Sequence, residues 1–173
     1  LIAGVSDDEI KAKKIYQWVQ KNIKYIAFES GFQGYIPREA DDIFTKKFGD
    51  CKDMANTIHK SFKYAKLDSV YLNWIGSDKL PYRIEEFPIP GVFNHMIAVW
   101  KHKGKNYILD ATNSYTKWGL PSSFIQTKQA FIGLSPTAYE IYNIDPVSDE
   151  VNQKIITVRA KISGDTLKGS GSV

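Results

Sequence analysis

The chain has 173 residues, 43% of them hydrophobic and 13% aromatic, enough for one main domain with a real core and a small appendage; disorder is excluded. Its formal net charge of +4 is spread among interleaved acids, with no basic block of the kind a nucleic-acid interface needs, so no nucleic-acid partner is indicated. The longest apolar run, Met96 to Trp100, is five residues, far too short for a transmembrane segment.

No initiator Met or signal-peptide pattern opens the chain at Leu1, and it stops in a Gly/Ser-rich stretch, so it reads as an excised piece of a longer protein. Ser6-Asp7-Asp8-Glu9 fits a capping box, with Ser6 as the cap and Glu9 reaching back. Ile10, Ile15, Trp18, Val19 and Ile23 follow at helical spacing and predict an amphipathic helix over 7–22. Tyr25 to Phe28 reads as a short extended segment, and Gly31 to Pro37 as a loop punctuated by two glycines and a proline. A short helix over 39–46 carries Asp41 and Asp42 near its start.

Asp50 is a good N-cap for a second long helix opening at Cys51, with Met54, Ala55, Ile58, Phe62 and Ala65 on one face. Val70 to Ile75 alternates as a strand. Phe93 to Trp100 and Lys105 to Asp110 are β-rich runs separated by Lys101-His102-Lys103-Gly104, a hairpin turn. The loops 76–92 and 112–131, the latter with Trp118, are expected to border a cleft or to pack as loops. Further short strands are expected at 131–134 and 139–144. Asp145-Pro146 marks a boundary, giving a domain over 1–145. Residues 146–173 read as the truncated beginning of a second, β-rich module, with Ser163-Gly164-Asp165 turning a hairpin. Oligomeric state is not legible.

Cys51 is the sole cysteine, so an internal disulfide is excluded. It remains a small buried hydrophobe, a metal ligand or a nucleophile. A helix N-terminus favours the thiolate, and its neighbours Gly49, Asp50, Lys52 and Asp53 are polar company for a core residue. His95 lies on one strand of the hairpin and Asp110 ends the other, placed roughly opposite each other about the 101–104 turn. An aspartate beside a histidine fixes its tautomer and favours the imidazolium, and that histidine can take the thiol proton. Read singly, the three residues are a packing cysteine, a half-buried strand histidine and a turn aspartate; together they are a set for nucleophilic acyl chemistry. Position 57 is Thr where a cysteine phosphatase loop needs Arg, and no C-x-x-C, H-E-x-x-H or Walker-type loop is present. No metal or other cofactor is indicated. His59 and His102 read as solvated surface residues.

Gly49-Asp50-Cys51-Lys52-Asp53, Phe93-Asn94-His95-Met96-Ile97 and Tyr107-Ile108-Leu109-Asp110-Ala111-Thr112 resemble the three motifs of the transglutaminase-like superfamily, in its order. Ile15 to Tyr25 resembles the helix before the core in bacterial members, as do Gly34 to Arg38 and the Ala-Asp-Asp-Ile-Phe run after it; the match covers about residues 7 to 142. The resemblance implies an α+β, papain-like fold with the cysteine helix packed on an antiparallel sheet. It implies Cys51 as nucleophile, His95 as general acid/base and Asp110 as its orienter, acting on a carboxamide through a thioacyl-enzyme. The Cys51 N–H and the Gln33 side chain are the candidate oxyanion donors. A protein or peptide substrate and hydrolysis, as by a peptidase or amidase, are expected, with transamidation open. The alternative is a non-catalytic binding or scaffolding module that retains the fold. Bacterial multidomain members also suggest an extracytoplasmic, periplasmic or cell-surface location.

Overall fold

The computed structural model describes residues 1–27, 31–77, 81–87, 89–151 and 153–172, with backbone alone at 32, 33 and 90. Helix α1 (Asp8–Asn22) is capped by Asp7, whose carboxylate accepts from the Ile10 N–H, one residue later than the capping box at Ser6 suggests. Asp7 wins because its carboxylate is the charged acceptor and complements the positive end of the helix. The buried face consists of Ala12, Ile15, Tyr16, Val19 and Gln20, while Ile10 points outward, 51% exposed. Strand β1 (Lys24–Tyr25) pairs in parallel with β2 (Phe48–Gly49), which leads directly into the next long helix. Between them lie a 3-10 turn, Gly31–Gly34, and α2 (Ala40–Lys46).

Helix α3 (Cys51–Tyr64) buries Met54, Ala55, Ile58 and Phe62 against the sheet and α1. Each such large side chain removed from water contributes about 1.5–3 kcal/mol. The sheet is antiparallel, in the order β5-β4-β3-β6-β7: β3 (Val70–Ile75), β4 (His95–His102), β5 (Lys105–Leu109), β6 (Gln129–Ser135) and β7 (Ala138–Asn143). One face carries Val70, Ala98, Trp100, Tyr107 and Leu109 and receives α1 and α3; the other carries Ile75, Ile97, Val99, Ile108, Ala130 and Ile132. The edge of Phe62 meets Trp100 at 5.7 Å between ring centroids, fixing α3 to β4. This is the mixed α+β architecture expected from the sequence, with the helices on a curled antiparallel sheet.

The β4–β5 turn is tighter than the four residues read from the sequence. It consists of Lys103 and Gly104 alone, at φ of 49° and 75°. Positive φ at both central positions is the type I′ geometry that matches strand twist, and it extends both strands into the expected loop. Trp118, in a segment expected to border the cleft or pack as a loop, does the latter: it lies against Tyr16, Trp100 and Tyr107. His102 is half-buried and stacked on Trp100, and His59 is half-buried with its Nδ1 shut off from water, so neither is a solvated surface residue. Burial, aided by Lys63 and Lys60, pulls the His59 pKa down to about 4. Beyond the core, β8 (Thr157–Ser163) and β9 (Thr166–Ser172) form a two-stranded hairpin, exposed throughout. Phe62→Ala is expected to cost roughly 3–5 kcal/mol in urea unfolding. Val158→Ala, at a position 67% exposed, should stay within about 0.5 kcal/mol.

Candidate active site

Cys51 is the first residue of α3, and the turn that carries it is locked from both sides. The Asp50 carboxylate accepts from the Lys52 and Asp53 N–H groups at 3.0 and 3.2 Å, and Asp53 Oδ2 accepts from the Asp50 N–H at 3.0 Å. This reciprocal capping consumes the orphan donors on either side of the cysteine. Among the described residues the Cys51 N–H is left with no partner. Lys52 Nζ donates to Asp50 Oδ2 at 2.5 Å, both groups being buried. Arg38, from the segment before α2, closes the network. Its Nε and one terminal nitrogen donate to Asp53 Oδ2 at 3.0 and 2.7 Å, and its backbone N–H donates to Oδ1 at 2.8 Å. Burial alone would raise the Asp53 pKa, but these Arg38 and Asp50 donors hold it below 3.8.

His95 opens β4, and Asp110 lies immediately beyond β5. The strand register pairs Ala98 with Leu109, which carries on to put Asp110 beside Ile97, two residues from the facing position expected from the sequence. A displacement of two keeps both side chains on the same face; a displacement of one would have separated them. Asp110 Oδ2 meets His95 Nε2 at 3.2 Å, and the Ser122 hydroxyl donates to the same oxygen at 2.7 Å. The Thr112 hydroxyl and N–H donate to Oδ1 at 2.6 and 3.2 Å. A carboxylate only accepts, so Nε2 carries the proton and Nδ1 is the nitrogen left for the thiol.

The imidazole hydrogen-bonds to Asp110, and Cys51 lies close enough to bear on its charge. Burial pulls the His95 pKa down, but Asp110 and Cys51 outweigh it and raise it to about 9. For Asp110, burial acts upward and the His95, Ser122 and Thr112 donors win, holding the carboxyl below its ordinary 3.8. The edge of Phe124 packs on the His95 ring at 5.0 Å between centroids. Cys51 itself packs with Ala55 and Met96, and Leu72 and Trp74 border them. The site is therefore assembled at the N-terminal end of β4, where its first side chain meets the helix-borne thiol.

Helix α1 supports the aspartate from below. The Tyr16 hydroxyl donates to the Asp110 carbonyl at 2.8 Å, and Gln20 Nε2 donates to the Asn113 and Thr116 carbonyls at 2.7 and 2.8 Å. Burial next to Asp110 pushes the Tyr16 pKa up, so the hydroxyl stays a donor. The structure thus brings Cys51, His95 and Asp110 together. The side chain of Gln33 lies outside the described residues. Reading the sequence missed Arg38 as the partner of Asp53, and it missed Thr112, Ser122, Tyr16 and Gln20. Only two signals were available: Thr112 stands two residues after Asp110, and Tyr16 and Gln20 interrupt the apolar face of α1 at helical spacing. No group of three or more His, Cys, Asp or Glu side chains among the described residues could hold a metal ion. No helix among them is long and apolar enough to cross a membrane.

A cysteine at the head of a helix, beside an aspartate-backed histidine on a curled antiparallel sheet, is the α+β arrangement of papain-like folds. Residues 1–86 match the model of the transglutaminase-like superfamily, and the chain belongs to that superfamily. No curated protein matches the chain. Two solved structures resemble it. A candidate cysteine protease from Cytophaga hutchinsonii is 21% identical over 58% of this chain and 30% of its own, with a TM-score of 0.42. A candidate protease from Parabacteroides distasonis is 13% identical over 84% of this chain and 26% of its own, with a TM-score of 0.59, and shows the same fold. The chain thus spans less than a third of either protein.

The sign of the pH dependence follows from the two shifts. His95 rises from 6.5 to about 9 on folding, so its contribution to stability is complete below pH 6.5 and is lost as pH climbs through 9. Asp110 is lowered from 3.8, so its contribution holds above that pH and disappears as pH falls beneath it. The difference in urea-unfolding free energy between wild type and His95→Ala should therefore shrink from pH 6 to pH 9.5. A constant difference across that range would contradict the charged, paired imidazole.

Proposed function

We infer that this chain performs cysteine-dependent acyl transfer on carboxamides, with Cys51 as nucleophile, His95 as general acid/base and Asp110 as its orienter. The observation that carries this reading is one imidazole bonded to the buried Asp110 carboxylate through Nε2, beside the cysteine that opens α3, with a pKa raised to about 9 by Asp110 and Cys51 against the pull of burial. Such an imidazole takes the thiol proton readily, and the resulting thiolate sits at the positive end of α3. The thiolate attacks the carbonyl carbon, and the oxyanion that forms faces the Cys51 N–H, the donor that the capping network leaves unused. His95 then returns its proton to the departing nitrogen, the C–N bond breaks, and a thioacyl-enzyme remains.

Water, deprotonated by the neutral imidazole, attacks the thioester and releases the acid with the thiol regenerated. An amine in place of water gives transamidation by the same steps. Hydrolysis of a protein or peptide amide is the preferred outcome, in keeping with the description of the Parabacteroides protein as a candidate protease.

Iodoacetamide alkylation at pH 6 tests the first step. Cys51 should react about 10- to 100-fold faster than a free thiol, because the His95 imidazole can take up its proton as the sulfur attacks, and His95→Ala should remove that advantage. Alkylation at the free-thiol rate would overturn the catalytic reading and favour a binding module built on the same fold.

A further inference from the structure

Helix α3 packs chiefly on β4 and β3, and among the described residues no helix packs as extensively on the same sheet face over β6 and β7. That area begins at the thiol. Trp74 borders the small apolar cluster of Cys51, Ala55 and Met96. Its register partner on β6 is Phe131, and directly opposed residues of antiparallel strands project to the same face. Phe131 stacks on Tyr139 of β7 at 4.9 Å between centroids and packs against Phe93 at 5.9 Å. At the other end, Tyr35 meets Trp74 at 6.1 Å. Among the described residues, five aromatic rings therefore line up from beside Cys51 to the β7 edge, Trp74 and Phe131 as register partners and the others in ring contact. Trp74, Phe93 and Phe131 are half-buried, while Tyr35 and Tyr139 are 53% and 60% exposed.

An aromatic row left open to water gains most from an apolar side chain laid upon it. Its continuity with the nucleophile determines what brings that side chain. Only the acyl donor must place a carbonyl at the Cys51 sulfur, so the side chain bonded next to that carbonyl falls on the adjoining rings. We propose that the Tyr35–Trp74–Phe131–Phe93–Tyr139 stripe is the acyl-donor subsite and selects peptides with an aromatic or large aliphatic residue beside the scissile carboxamide. The inference rests on Cys51 being the nucleophile and adds the substrate class. A charged residue there is rejected, since the rings offer its charge no partner.

Peptidyl chloromethyl ketones test this without knowledge of the natural substrate. In these probes the cysteine sulfur displaces chloride, forms a C–S bond and leaves a stable ketone thioether. Two probes differing only in Phe or Asp beside the ketone are compared by second-order rate of Cys51 labelling. Wild type should prefer the Phe probe by about tenfold or more, the scale of a well-filled apolar pocket. Phe131→Ala should reduce that ratio towards one, and Tyr139→Ala, at an exposed edge position, should reduce it partially. Equal rates with the two probes in wild type, alongside fast iodoacetamide alkylation, would overturn the subsite alone. Equal rates with alkylation at the free-thiol rate would overturn the nucleophile assignment and the subsite together. Equal rates with labelling blocked by an oligosaccharide such as cellohexaose would overturn the peptide subsite in favour of a glycan. A ratio unchanged in both variants would place the selectivity elsewhere and overturn the assignment of these rings.

Discussion

Asp53 is a buried anion, and the local structure around Cys51 is arranged to satisfy it. Each of its oxygens is occupied, by the Arg38 side chain, the Arg38 backbone and the Asp50 N–H. An unpaired carboxylate at that depth would be far too costly to keep charged, so these donors hold their positions together or not at all. The consequences reach Cys51. Holding the Asp50 N–H fixes the first turn of α3, and fixing that turn fixes the thiol at its first residue. It also ties the segment before α2 to the cysteine helix, since Asn56 donates to the Arg38 carbonyl at 2.9 Å.

A second buried anion organises the other half of the site. Asp110 has four donors from three residues, His95, Thr112 and Ser122, and its own backbone carbonyl is held by Tyr16. The loop after β5 is thus shaped by the requirement to surround one carboxylate, with α1 as the floor on which it rests. Between the two anions lie the thiol and the imidazole, each placed by a network that reaches well beyond it. Rigid support of this kind holds the Cys51 thiol and the His95 imidazole in place without help from any bound molecule.

Some of this was legible in the chain. Asp50 followed by Cys51 and an apolar face at helical spacing is a local pattern, and α3 begins where that pattern places it. The β4–β5 hairpin was visible from two β-rich runs around Lys101 to Gly104, and the motifs at 49–53, 93–97 and 107–112 stand in the order of the superfamily. The exact register of the hairpin was not visible. It depends on two residues adopting positive φ, and the four-residue turn inferred from the sequence placed Asp110 two positions away from where it lies. Trp118 was ambiguous for a related reason, since only the position of α1 decides whether a loop aromatic faces a cleft or a core.

The sequence by itself determined the local elements and the chemical identity of the three residues at the site, because caps, periodicity and turn residues act over a few positions of chain. The tertiary structure decided the partners. Arg38 and Asp53 are 15 residues apart, His95 and Asp110 are also 15 apart, and Tyr16 reaches the Asp110 carbonyl across 94. No local pattern encodes such pairings. They follow from the need of buried charged and polar groups to find donors wherever packing brings them, and that is settled only when the helices close on the sheet.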